Sequence, residues 1–114
     1  MKIGTRSAGD ALIVELVGDL DARSAGMVQE KLIGLLGGRS SVVLDFTGTP
    51  YISSAGLRAL LVVYRAARAA DTGIAVVGLS SELRGVLAAT GFLGFLTVAD
   101  SVDSGLLALN EAAP

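Results

Sequence analysis

LDFTGTPYISSAGLRALL, residues 44–61, contains the signals that decide the fold of this chain. An apolar strand runs into a short loop, and the loop ends in Ser53, Ser54 and Gly56, where a long helix begins. The first turn of a helix has unpaired N–H groups and carries the positive end of the helix dipole. Such a helix start can hold an anion, and a serine placed there can accept a phosphate.

Upstream of this segment, the sequence pattern predicts two strands and a helix. Residues 2–7 form a weak strand, and residues 12–17 form a stronger strand with alternating faces, so the two are expected to pair as a hairpin. A helix is predicted over residues 22–36, with Asp21 as its N-cap. Gly26 inside this helix is interpreted as a point of close packing, because glycine costs about 1 kcal/mol there relative to alanine.

Downstream, predicted strands alternate with predicted helices. Strands are predicted over residues 41–46, 74–79 and 95–98. One helix is predicted over about residues 55–70, a second begins after Ser80 or Ser81, and a third begins after Ser101. A strand, a helix and a second strand form a right-handed βαβ unit with parallel strands. The expected order is ββαβαβα(β)α, an α/β fold, and a single domain is predicted over residues 1–114.

Composition excludes several kinds of site. The chain is 52% hydrophobic and 18% charged, enough to fill a core, and its net charge of -2 argues against a general nucleic-acid binder. The absence of cysteine and histidine excludes disulfides, thiolate metal sites and the usual histidine base. The glycines lack the spacing of nucleotide-binding loops, so no nucleotide pocket is predicted. No cofactor and no metal are expected.

The most apolar window, residues 57–70, contains three arginines and is too short and too charged to span a bilayer. The first residues lack the long apolar run of a signal peptide. A cytoplasmic protein with no membrane segment is therefore expected.

Residues 44–61 resemble the signature segment of STAS domains, most closely the bacterial anti-sigma factor antagonists, and GDLDARSA at residues 18–25 is similar to the opening of the first STAS helix. The resemblance covers roughly residues 3 to 111. It implies the STAS (SpoIIAA-like) fold, a small mixed sheet of about four to five strands with about four helices. In that family, a serine in the loop is phosphorylated by a partner kinase that is itself the anti-sigma factor.

The resemblance implies a phosphorylation site in the loop. The common family pattern is Asp-Ser-Ser-Gly, with the acceptor directly before the glycine, whereas this chain has Ser53, Ser54, Ala55 and Gly56. Strict alignment places Ala55 at the acceptor position. Ser54 is the preferred acceptor because it remains next to the helix start, and Ser53 is the second choice. The alternative is that both serines only cap the helix.

The resemblance also implies a partner surface around this loop. Its predicted members are Asp19, Leu20, Asp21, Asp45, Ile52, Ala55, Gly56 and Arg58. Leu20 is expected to be an exposed apolar contact, and Gly56 is expected to let a phosphate or a partner approach closely. The aspartates have an alternative role in turns, a helix cap and hydrogen bonds to loop N–H groups. Arg58 either lies on a solvated helix face or faces the kinase or its nucleotide.

The hypothesis is a binding protein that docks on an anti-sigma factor of the ATP-binding serine kinase type and releases sigma factor, until phosphorylation ends the contact. No direct contact with nucleic acid is expected, and the chain is expected to be a monomer or a weak homodimer. The alternative is an unphosphorylated STAS module in a stressosome-like scaffold or a lipid-transport complex. An enzyme with a serine nucleophile is disfavoured, because Lys2, Lys31 and carboxylates are the remaining bases and no motif places either lysine.

Overall fold

The computed structural model describes residues 1–94 and 96–112. The strands and helices are β1 (Lys2–Ala8), β2 (Ala11–Val17), α1 (Ala25–Leu35), β3 (Ser41–Asp45), α2 (Ser54–Ala69), β4 (Gly73–Val77), α3 (Ser81–Ala89), β5 (Thr97–Ala99) and α4 (Val102–Ala112), with a 3-10 helix at Phe92–Gly94 before β5. The predicted α/β order is confirmed, as is the small mixed sheet with helices packed against it.

The five strands form one sheet in the order β1-β2-β3-β4-β5. Strands β1 and β2 pair antiparallel, whereas β2, β3, β4 and β5 are parallel to one another. Each parallel neighbour is reached through one α-helix, as expected of βαβ units, and the connection from β4 to β5 also contains the 3-10 helix. The carboxyl ends of β2, β3 and β4 therefore lie along one edge of the sheet, and the segments that leave them meet there.

Both faces of the sheet are covered by helices. Alternate residues of β2, such as Leu12 and Val14, lie in the larger core under α1, α2 and α3. Ile13 points the other way, into a smaller core that contains Leu109 of α4. Gly105 of α4 lies so close to the sheet that a Cβ there would be 2.8 Å from Val77 Cγ1. This two-sided cover explains the continuous apolar runs of β3 and β4.

Helix α1 differs from the prediction at its start. It begins at Ala25 rather than at residue 22. The prediction that Asp21 is its N-cap is therefore wrong, since Ser24 occupies that position. The Asp21 carboxylate accepts the N–H of Arg23 at 3.0 Å. The backbone carbonyl of Asp21 accepts the N–H groups of Ser24 and Ala25. A separate turn thus precedes the helix. The interpretation of Gly26 is also wrong, because a Cβ there would meet no described neighbour within 4 Å.

Two strands have a boundary that differs from the prediction by two residues, whereas the other strand boundaries agree to within one residue. Strand β4 ends at Val77, because Gly78 takes a positive φ of 73° and turns the chain away. The last predicted strand starts at Phe95, which lies outside the described residues, and the observed β5 covers only Thr97–Ala99. Within the described ranges, no helix is both long enough and apolar enough to cross a membrane.

Candidate functional site: the loop before helix α2

Two segments that are distant in the sequence run side by side at the carboxyl edge of the sheet. The Leu20 N–H donates to the Tyr51 carbonyl at 2.9 Å, and the Ser53 N–H donates to the Leu20 carbonyl at 2.9 Å. Leu20 and Ile52 form an isolated parallel bridge. The chain after β2 and the loop before α2 are therefore joined as two short extended strands would be.

The bridge buries the two side chains that it joins. Leu20 is 1% exposed and Ile52 is 4% exposed, and both belong to the larger core. The expectation that Leu20 is an exposed apolar contact is therefore wrong. Ile52, also predicted to contact a partner, has almost no surface to offer. Since side chains alternate along extended segments, the bridge turns these two inward and their neighbours outward.

Gly56 lies in the first turn of α2, directly against Leu20. A Cβ on Gly56 would overlap the Leu20 carbonyl oxygen and would lie 2.9 Å from Leu20 Cγ. The sequence predicts that this glycine lets a phosphate or a partner approach closely. In the structure, the space beside Gly56 is occupied by Leu20, because the missing side chain lets helix α2 pack directly on the segment after β2. The approach of a phosphate or a partner stays a prediction.

Ser53 and Ser54 occupy different positions in the helix start. Ser53 is the N-cap, with φ -89° and ψ 176°, and its Oγ accepts the N–H of Gly56 at 3.2 Å. Ser54 is the first residue of the helix and is exposed. Its hydroxyl makes no hydrogen bond with any residue that the structure describes. Ser53 thus holds the helix, while the Ser54 hydroxyl is available.

Replacing Ser53 with alanine is expected to lower the free energy of unfolding by about 1 kcal/mol, because the N–H of Gly56 loses its acceptor. Ser80 caps α3 in the same way, accepting the N–H of Leu83 at 3.1 Å, so Ser80→Ala is a matched control with the same expected loss. Ser54→Ala is expected to change stability by less than about 0.5 kcal/mol. Urea denaturation checks all three, and equal losses for Ser53→Ala and Ser54→Ala would contradict the assignment of the cap.

Three aspartates surround the loop, and two have structural partners. Asp45 Oδ1 accepts the N–H of Thr47 at 2.9 Å and its hydroxyl at 2.6 Å, which shapes the turn after β3. Asp21 closes the turn before α1. The Asp19 carboxylate is exposed and has no partner among the described residues. Asp45 and Asp21 therefore have the alternative role, in which an aspartate shapes a turn through hydrogen bonds to loop N–H groups. Contacts of the three aspartates with a partner stay predictions.

Arg58 lies on the exposed side of α2, one helical turn after the serines. The ion pairs of the described residues join Arg6 to Glu15 and Arg84 to Asp100, so Arg58 has none. Ala55 is half-buried between Ser54 and Gly56. Across the described ranges, no three acidic side chains cluster as a metal site would require. The available chemistry is thus the hydroxyl of Ser54 at a helix start, with the exposed Arg58 one helical turn later.

The family model of the STAS domain matches residues 2–105. This chain belongs to the STAS domain family. The match covers all five strands and the start of α4, and the five-stranded mixed sheet with four helices is the fold expected of the family.

This STAS domain is similar to three known proteins along most of their length. It is 31% identical over 115 residues to BtrV, a candidate anti-sigma factor antagonist of Bordetella bronchiseptica, covering 100% of this chain and 99% of BtrV. The anti-sigma factor antagonist SpoIIAA in its unphosphorylated form superposes with a TM-score of 0.73 at 15% identity, covering 98% of this chain and 100% of SpoIIAA. A sulfate transporter family protein of Wolinella succinogenes gives 0.77 at 23% identity, covering 91% and 88%. The two structural likenesses show the fold alone.

Tyr51 is a surface residue of this STAS domain that the sequence analysis passed over. Its side chain is 54% exposed, three positions before Ser54. The signal that could have identified it is the alternation around Ile52: a buried side chain in an extended segment has outward-facing neighbours. The sequence does not show that this segment is extended, because the residue that pairs with Ile52 is Leu20, far away in the sequence.

Proposed function

We propose that this chain is an anti-sigma factor antagonist, which binds an anti-sigma factor and thereby releases sigma factor. The relative that supports this is BtrV, which matches along the whole chain. The observation that carries the proposal is the free Ser54 hydroxyl on a helix start that is fixed to the rest of the fold by backbone hydrogen bonds. The protein works in the cytoplasm by contact with other proteins and does not bind DNA itself.

The second part of the proposal is that Ser54 is phosphorylated by the anti-sigma factor, an ATP-binding serine kinase. Ser54 is exposed and makes no competing hydrogen bond with a described residue, whereas the Ser53 hydroxyl is half-buried and engaged in the cap. The acceptor has thus moved one residue towards the N-terminus from the family position at Ala55. A phosphate on Ser54 lies at the positive end of the α2 dipole, which stabilises it by at most about 1 kcal/mol.

The size of the switch follows from charge. A phosphate adds about -1.5 to -2 charges at pH 7. To transfer it, the kinase must bring its ATP phosphates up to Ser54, so the product faces the phosphates of the remaining nucleotide. Like charges at an interface cost several kcal/mol, and a hundredfold loss of affinity requires only about 2.7 kcal/mol. Repulsion therefore exceeds the stabilisation from the helix, and the phosphorylated protein dissociates.

The test is to incubate the chain with ATP and the ATP-binding kinase-like protein encoded nearest to it in the genome, followed by intact mass measurement and site mapping. One phosphate is expected on Ser54. Ser54→Ala is expected to accept none, while Ser53→Ala and the control Ser81→Ala are expected to accept one.

A phosphate on Ser53 would keep the mechanism and overturn the choice of serine. Binding without phosphate transfer would indicate an antagonist that is not switched in this way. If neither binding nor phosphate transfer occurs, the alternative of an unphosphorylated module in a scaffold or a transport complex replaces the proposal.

A further inference from the structure

Strand β1 is an edge strand with one side open. The sheet order places β2 on one side of β1, and no other described strand lies on its other side. Ile3 and Ala8 are half-buried, and the remaining residues of the strand are exposed. Backbone N–H and C=O groups along such an edge can pair with a further strand. Which groups of β1 are open to such pairing follows from its register with β2.

The turn that joins β1 to β2 decides which backbone groups face outward. Ala8 pairs with Ala11 across a two-residue turn in which Gly9 has a φ of 61°. A turn of this length makes the residues that flank it a hydrogen-bonded pair, and such pairs then alternate along an antiparallel ladder. The same alternation turns the Leu16 carbonyl away from β1, and this carbonyl accepts the Thr49 hydroxyl. The even-numbered residues of β1 therefore bond to β2, and the outward-facing N–H and C=O groups belong to Ile3, Thr5 and Ser7.

The charges on β1 select one register for pairing with a second copy of the strand. If two copies pair antiparallel about Thr5, each Arg6 lies opposite Gly4 of the other copy, and all the outward-facing groups lie opposite one another. A shift by two residues in one direction would place Arg6 opposite Lys2, and a shift in the other direction would place the two Arg6 side chains opposite each other. Like charges directly opposite each other destabilise a sheet, so pairing about Thr5 is favoured.

Gly4 leaves a path across β1 for the arginine of the second copy. A Cβ on Gly4 would meet Glu15 Cβ at 4.0 Å, an ordinary contact, so packing within the chain does not require a glycine there. Because Gly4 lies opposite Glu15, Arg6 of the second copy, Gly4 and Glu15 would fall in one row across three strands. The backbones at the two ends of this row are about 10 Å apart, and an arginine and a glutamate can span that distance when no side chain lies between them. A glycine inside a strand is typical of such a close approach.

Arg6 and Glu15 are only loosely paired within the chain. Arg6 Nε is 4.0 Å from Glu15 Oε1, and the two side chains are 57% and 54% exposed. Both are therefore free to turn towards another molecule. We propose that β1 pairs with β1 of a second copy of this chain, antiparallel about Thr5, and that Arg6 of each copy binds Glu15 of the other. The two five-stranded sheets then form one continuous sheet.

This pairing leaves the loops before α2 open in both copies. Because the two β1 strands run in opposite directions, the carboxyl edges of the two sheets lie at opposite ends of the joint sheet. The β1 contact therefore covers neither Ser54, and the inference does not rest on the proposed function. The ladder consists of one seven-residue strand from each copy and is much smaller than a stable interface of about 1,600 Å². The dimer is therefore expected to be weak and to form at high protein concentration.

The first test is sedimentation equilibrium from about 10 μM to about 1 mM, which measures the dimer Kd. Thr5→Pro removes an outward-facing N–H and places a ring on the open side of β1, so it is expected to weaken the dimer about tenfold or more. Proline is tolerated in an edge strand where the N–H faces solvent, so the single chain is expected to fold. Thr5→Val keeps the N–H and is the matched control, with a Kd expected within about twofold of the unaltered chain.

The second test exchanges the charges of the proposed row. Glu15→Arg is expected to weaken the dimer about fivefold or more, because it brings like charges together at two equivalent places. Combining Arg6→Glu with Glu15→Arg reverses both signs and is expected to restore the Kd to within about threefold of the unaltered chain. Gly4→Val closes the path across β1 and is expected to weaken the dimer about threefold or more without lowering the urea midpoint.

The third test locates the contact by amide hydrogen exchange. The N–H groups of Ile3, Thr5 and Ser7 are expected to gain protection as the protein concentration rises, whereas the Arg6 N–H, bonded to β2, is expected to be protected equally at every concentration. A chain that remains monomeric at about 1 mM would overturn the proposal, and so would a dimer whose Kd is unchanged in Thr5→Pro. If Thr5→Pro lowers the urea midpoint, the charge exchange and the hydrogen exchange decide. A Kd that the charge exchange does not restore would overturn the contact between Arg6 and Glu15.

Discussion

Replacing Gly56 with alanine is expected to lower the free energy of unfolding by about 2–3 kcal/mol. The added methyl group would overlap the Leu20 carbonyl oxygen, a backbone atom that cannot rotate away as the end of a flexible side chain could. Either helix α2 or the segment after β2 must therefore move. Because Leu20 also accepts the Ser53 N–H, the displacement would weaken the bond that fixes the helix start to the sheet edge. Urea denaturation followed by circular dichroism measures the loss.

Gly34→Ala is the matched control for this prediction. Gly34 lies inside α1, and a Cβ there would meet no described neighbour within 4 Å. Alanine is the better helix former, so this variant is expected to gain about 0.5–1 kcal/mol in stability. The two glycine replacements thus have opposite signs. A Gly56→Ala protein as stable as the unaltered chain would show that the contact with Leu20 is looser than the structure has it.

Replacing Ser54 with glutamate is expected to weaken binding to the proposed anti-sigma kinase at least tenfold. Glutamate adds one negative charge at the position proposed for the phosphate, and the repulsion is smaller than for phosphate because the charge is smaller. The experiment measures Kd with ADP present, next to the unaltered chain. An affinity within threefold of the unaltered chain would contradict the proposal that Ser54 faces the nucleotide.

Ser81→Glu provides the control, since α3 begins as α2 does. Ser81 is the first residue of its helix, is exposed, and follows the capping residue Ser80. A negative charge at either helix start is expected to stabilise the fold by about 0.3–1 kcal/mol through the helix dipole. The two variants should therefore agree in their urea midpoints and differ in their Kd. That difference separates an effect on the interface from an effect on the helix.

The sequence predicted the sheet and its helices because those features depend on local patterns. Alternating and continuous apolar runs identify strands, and serines before apolar stripes identify helix starts, as Ser80 and Ser101 show. The opening hairpin was predicted from two strand patterns around a turn, and the parallel pairing of β3 with β4 was predicted from the helix between them.

The details of the site could not be predicted in the same way, because they depend on a pairing between distant residues. Leu20 follows a glycine in a stretch that reads as a turn, and only its bridge to Ile52 sends its side chain into the core. The packing of Gly56 could not be predicted for the same reason, since its neighbour is that same leucine. The separate roles of Ser53 and Ser54 depend on which residue begins the helix, a boundary that propensities locate only to within a few positions.

The backbone hydrogen bonds that Leu20 makes on both sides affect how a change at the helix start can reach a partner. Both of its peptide groups are used, one towards Tyr51 and one towards Ser53, and its side chain is locked in the core. The segment that contacts the helix start is therefore held in place, and a modification at the helix start is not expected to shift it. In the proposed switch, a phosphate on Ser54 would act by changing the surface potential within a Debye length of about 8 Å at physiological ionic strength, and any conformational change would take place in the partner.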